Sequence, residues 1–205
     1  MRTYDSGFST VAQDARNQGI APVYFMWVVG RDRVTGADSA MGFWSRSENI
    51  AVTVPLPGGG SASRTYLGGA GLAVEGLTRV GGLTDRAVTV SMSQIAPAAQ
   101  ELARGLDPRL AYVEIHVTSM VGGAFASMPQ LEWVGVIDEG PISTPGYGGD
   151  GEISYAVRSE MMAQLTAINP AKSSDAHQKR RAPGDRFGEY GSTISSRRVQ
   201  WYKGD

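Results

Sequence analysis

The residues of this chain best suited to chemistry are few and scattered. His116 lies in LAYVEIHVTSM, with Glu114 and Thr118 two positions to either side. On a strand that spacing puts all three on one face, where they could hold a metal with help from elsewhere. A lone histidine beside one carboxylate reads better as a hydrogen-bonded surface or interface residue, and that is the expectation here. Asp138 and Glu139 form the other carboxylate pair. Adjacent residues of a strand point to opposite faces, so the two read as charges at a strand end rather than one acid-base site.

Other chemistries lack their parts. The chain has no cysteine and two histidines, His116 and His177, which removes disulfides, thiolate zinc sites and most histidine centres. The glycine runs GGGSAS (58–63) and LGGAGLAVEG (67–76) lack phosphate-loop spacing and a helix opening where a phosphate would sit. They read as turns and bulges. No catalytic, metal or cofactor-binding residue is assigned, and the chain is expected not to be an enzyme.

The most charged stretch is KSSDAHQKRRAPGDRFGEY, residues 172–190. Ser174 can cap a short helix DAHQKRR, with Asp175 near its positive end and Lys179, Arg180 and Arg181 in its last turn. Pro183-Gly184 then stops the helix. A nucleic-acid arm would carry fewer acids and would interleave aromatics with its basic run, whereas Phe187 and Tyr190 come only after the turn. Residues 172–205 hold eight Lys or Arg against four Asp or Glu, leaving eleven against sixteen in the rest. Tail and body are thus opposite in sign, as expected of a tail that docks on neighbouring bodies. Arg outnumbers Lys sixteen to three, which suits fixed interface contacts. The expected interface residues are Arg180, Arg181, Asp185, Arg186, Phe187, Tyr190, Trp201 and Tyr202, with Asp185 fixing the turn.

The elements that carry these residues are mostly strands. Twenty-seven glycines in 205 residues point to many turns and short strands. PVYFMWVV (22–29) is a dense buried strand, and NIAVTV (49–54) and RAVTVSM (86–92) alternate. In the second of these, Val88, Val90 and Met92 share a face. PLPGGGSAS (55–63) reads as an exposed loop, and a short helix over 9–18 is possible near the start. One helix, about 94–104, interrupts the strands: Ser93 is its expected cap, Pro97 falls in its first turn, and Ile95, Ala99 and Leu102 recur until Gly105. Residues 110–120, 129–140 and 151–162 form an antiparallel meander, with Ala111, Val113, Ile115 and Val117 facing one way. The expected class is all-β, as a barrel or rolled antiparallel sheet. The expected division is a barrel-like domain over 1–171 and a basic docking helix and strand over 172–205.

The order of these features resembles the hub proteins of long-tailed phage tail tips and gene-transfer agents. The matching wording is VYFMWVV, then VTVSMSQIAP, LARGLDPRLAYVEIHV, LEWVGVIDEGPIST and GEISYAVRSEM, closing on SDAHQKRRAPGDRFGEY. It covers roughly residues 20–190. Lambda-type members add a cysteine-rich cluster-binding part, which this cysteine-free chain cannot supply.

The resemblance implies a structural virion protein that forms a ring joining the tail tube to the distal tip, three-fold rather than six-fold. Its implied partners are copies of itself, the tail tube, distal tail and tip proteins, and the tape-measure protein as a further neighbour. It implies assembly in the host cytoplasm and residence at the virion tail tip. No apolar run approaches a membrane span or a signal peptide core, so no membrane partner is expected. The alternatives are a six-fold distal tail protein at the same junction and a β-barrel nucleic-acid-binding protein. The latter is suggested only by the basic C-terminal stretch.

Overall fold

The computed structural model describes residues 4–78, 86–140, 142–143, 151–160, 174–191, 193–194, 196 and 198. The chain divides into two units, Met1–Leu165 and Thr166–Asp205.

The first unit is β-dominated. Its elements are α1 (Ser6–Gln18), β1 (Pro22–Asp32), β2 (Asp38–Trp44), β3 (Ile50–Pro55), β4 (Ser61–Tyr66), β5 (Ala73–Glu75) and β6 (Ala87–Ser93). There follow α2 (Pro97–Gln100) with a π-helical turn over Glu101–Gly105, then β7 (Leu106–Val121), β8 (Ala124–Phe125), β9 (Gln130–Glu139), β10 (Ile142–Ser143) and β11 (Glu152–Ser159). Among the described residues, one nine-stranded sheet runs β2-β1-β7-β9-β11-β6-β5, with β8 on β7 and β10 on β11. Every pairing in it is antiparallel, and the sheet curls into a half-barrel. β3 and β4 form a separate hairpin. The meander expected from sequence is β7-β9-β11.

Both faces of the sheet carry a core. Met26, Val28, Val113, Ile115, Ile137, Tyr155, Val157, Val88, Val90 and Met92 pack on one face, with Ala99 and Leu102 laid over them. Val23 and Phe25, the odd-numbered residues of β1, turn to the other face and meet Trp44, Val54 and Tyr66. A run such as VYFMWVV has no polar alternation because each of its faces packs on a core. Phe25 is the hub of the second core, with its ring 5.7 Å from Trp44, 5.1 Å from Tyr66 and 5.8 Å from Phe125.

Three local expectations change. Ser93 does not cap the helix: it ends β6, pairs with Glu152, and its N–H donates to the Ala70 carbonyl at 2.9 Å. The helix starts at Pro97, where the missing N–H costs nothing, and Ile95 stands outside it at 84% exposure. Ala99 and Leu102 keep the buried positions expected of them. The loop over 55–63 contracts to a turn, because Pro55 already pairs with Ser61 and the Leu56 N–H donates to Gly60. At the N-terminus the helix begins earlier than residue 9: Asp5 accepts the Gly7 N–H and caps α1.

The second unit contains α3 (Asp175–Arg181) among its described residues.

Candidate functional site

The C-terminal segment folds by local rules. Ser174 accepts the His177 N–H at 3.3 Å and caps α3, while Asp175 in the first turn bonds Lys179 at 2.8 Å one turn on. Lys179, Arg180 and Arg181 complete the last turn, where cations oppose the carbonyl end of the dipole. After Pro183-Gly184, Asp185 accepts the Phe187 N–H at 2.9 Å, which is the turn-fixing part expected of it. Arg186 is held by Glu189 of the same segment through two nitrogens, at 2.9 and 3.1 Å. Arg180 and Arg181 are exposed, as are Phe187 at 90% and Tyr190 at 65%. Trp201 and Tyr202 lie outside the described residues. The segment therefore presents two arginines and two aromatics, while Lys179 pairs with Asp175 and Arg186 with Glu189.

His116 is hydrogen-bonded as expected, but its surface placement is overturned. It is fully buried, not a surface residue, because the β3–β4 hairpin lies over that face of β7. Its Nε2 stands 3.0 Å from the Pro55 carbonyl on the hairpin and 3.8 Å from Glu114. Thr118 is buried too and donates to the Ser127 carbonyl at 3.0 Å.

Glu114 belongs to an ion pair. Arg64, on β4, reaches across from the hairpin with its two terminal nitrogens 2.5 and 3.3 Å from the carboxylate oxygens. The side chains of Arg64 and Glu114 are 12% and 4% exposed. The Arg64 guanidinium carbon also sits 4.6 Å from the centre of the Trp27 ring, a cation–π contact. Burial works to lower the Arg64 pKa, but the hydrogen bond and charge of Glu114 outweigh it and the net shift is upward. Burial pushes the Tyr66 phenol to about 12. Burial, reinforced by Glu114, does the same to Tyr112. The Arg64–Glu114 pair and the His116–Pro55 contact clamp the hairpin to the sheet.

Sequence reasoning did not single out Arg64, since nothing in RTYLGG marks it as a partner. A signal for the buried face did exist. If β1 is apolar on both faces, the strand paired beside it is covered on both faces as well, and a glutamate there requires a cation.

Asp138 sits at the outer end of β9 and pairs with Arg158 of β11 at 3.1 Å, both substantially solvated. Glu139 beside it is exposed. The structure does not bring either of them to Glu114 or His116. Among the described residues, no group of three or more His, Asp or Glu is placed to hold a metal.

The class that fold and site define is a β-dominated, curled antiparallel sheet with a clamped hairpin. No protein-family model matches the chain, and no curated protein matches its sequence.

Proposed function

We propose that this chain is a structural, non-enzymatic subunit of a phage tail tip. It forms a hub ring, three-fold rather than six-fold, between the tail tube and the distal tip. The observation that carries the reading is the segment SDAHQKRRAPGDRFGEY, whose wording resembles the closing signature of tail hub proteins. Its local fold displays Arg180, Arg181, Phe187 and Tyr190 to solvent. Arginine and large aromatics are the residues enriched at the centres of protein interfaces. Further support comes from the ionisable groups in the body. Glu114 is committed to Arg64, and Asp138 to Arg158, so both serve the fold.

The test is mass measurement and electron microscopy of the purified chain, together with its copy number in assembled tails. A closed three-fold ring, or three copies per tail, is the expected result. Six copies would make it the distal tail protein at the same junction. Monomer at every concentration, combined with tails that lack ring stoichiometry, would overturn the reading.

A further inference from the structure

Beyond Phe187 and Tyr190, the second unit exposes a third large apolar side chain, Ile194, at 71%. The backbone between them turns every three to four residues. Glu189 donates to Arg186, Gly191 to Gly188, and both Thr193 and Ile194 to the Tyr190 carbonyl. Residues 187, 190 and 194 therefore fall on successive turns, as the anchors of a segment that lies in a groove do. Three large apolar side chains exposed within eight residues point to an interaction surface. In the same unit Arg180 and Arg181 are exposed, while Lys179 and Arg186 pair with Asp175 and Glu189.

The first unit has a groove suited to it. A cavity of about 580 Å³ lies between α1 and the ends of β1 and β7, lined by Val11, Asp14, Ile20, Ala21, Met120 and Val121. Ile20 and Val121 stand 44% and 55% exposed. α1 is itself incompletely covered, since none of Ser6–Asn17 is buried. A 13-residue helix has little stability of its own and needs packing on its apolar side. The other clefts fit worse. One is lined by Arg31 and Arg109 together with Asp38 and Asp107, so it offers a basic segment no net attraction. Another, lined by Gly71, Ser91, Ser93, Ile95, Gly151 and Glu152 beside the buried Met92, offers one exposed apolar side chain.

We infer that the Phe187–Tyr190–Ile194 stripe of one copy docks in the α1/β7 groove of a second copy. The inference rests on the ring reading above and names the contact that would join neighbours. Charge selects the acidic body of this chain as the docking partner, and the ring reading makes that body a second copy's: residues 172–205 carry an excess of four positive charges, the remainder an excess of five negative ones, and Asp14 lines the groove.

All three lysines of the chain, 172, 179 and 203, lie in the C-terminal stretch. Zero-length carbodiimide coupling of lysine to carboxylate must therefore report where this stretch goes. An equal mixture of ¹⁴N- and ¹⁵N-labelled full-length protein separates links between copies from links within one. The expected result is mixed-isotope links from these lysines to Asp14 or Asp5. Their yield should fall at least tenfold in F187S/I194S and in V121S, with unchanged melting because all three residues are exposed. F187W/I194L should restore the yield. Links only within one isotope, or only to carboxylates remote from α1, would overturn the inference. Rings that form normally from F187S/I194S would also overturn it while leaving the ring reading intact. A wild-type chain that stays monomeric, with tails that lack ring stoichiometry, would remove both.

Discussion

The Arg64 guanidinium grips the Glu114 carboxylate at 2.5 and 3.3 Å across the gap between hairpin and sheet, with the Trp27 ring against it. Apart from this clamp, the hairpin is tied to β2 by short backbone bonds, Leu67 N–H to Gly42 and Trp44 N–H to Leu67, at 2.8 and 3.1 Å. It is also held by the apolar contacts of Val54 and Tyr66. The ion pair is the charged part of that attachment, beside the His116–Pro55 hydrogen bond, and it is nearly dry.

Removing one member of a buried pair leaves the other charge without compensation, at a cost of about 3–5 kcal/mol. Glu114→Ala and Arg64→Ala are each expected to lose stability in that range by denaturant unfolding. The double variant Glu114→Leu/Arg64→Met should lose much less than the two single losses combined, because it buries no lone charge. Equal, additive losses would mean the two side chains do not act as a pair.

Gly42 on β2 faces the hairpin so closely that a Cβ would lie 2.5 Å from the Thr65 carbonyl oxygen and 2.9 Å from the Tyr66 ring. Gly42→Val is therefore expected to lower stability by about 1–3 kcal/mol through overpacking. Gly58, at the hairpin turn, has nothing within 4 Å of a built Cβ. Gly58→Ala should change the denaturation midpoint negligibly, within about 0.5 kcal/mol. The contrast measures whether the hairpin rests on β2 through its base and not its tip.

Tyr66, Tyr112 and Tyr155 are each pushed up to about 12, with burial as the leading cause. Their folded pKa values lie above the unfolded value near 10, so the unfolded chain loses these protons first. Stability should be unaffected by these groups below about pH 10 and should fall between about pH 10 and 12. Ultraviolet titration of tyrosinate, followed beside the melting temperature, checks this. The variant Tyr155→Phe should flatten part of the alkaline decline.

Ser174→Ala removes the cap of α3 and should cost the helix about 1 kcal/mol. Carbon chemical shifts of Asp175–Arg181 should move toward coil, while those of β7 stay unchanged. Ser174→Asp should keep the helical shifts, since aspartate also accepts at a cap.

Much of this molecule is written locally. Residues 88, 90 and 92 alternate and are buried together, and VYFMWVV is a strand buried on both faces. Ser174, Asp175 and the basic last turn make a capped helix, and Asp185 closes the turn after it. Each rests on interactions within a few residues, or on a period of two that needs no knowledge of partners. Helix limits near Pro97 were less legible, because Ser93 has cap chemistry but its backbone was already claimed by Ala70 and by β11.

The clamp was decided elsewhere. Arg64 and Glu114 are fifty residues apart, and no local rule couples them. Whether His116 met water depended on a hairpin formed by residues 50–66 closing over the far face of β7. Strand periodicity states which side chains share a face, and the sequence by itself determined that much. Whether that face is covered depends on contacts between distant segments, and those only the tertiary structure decided.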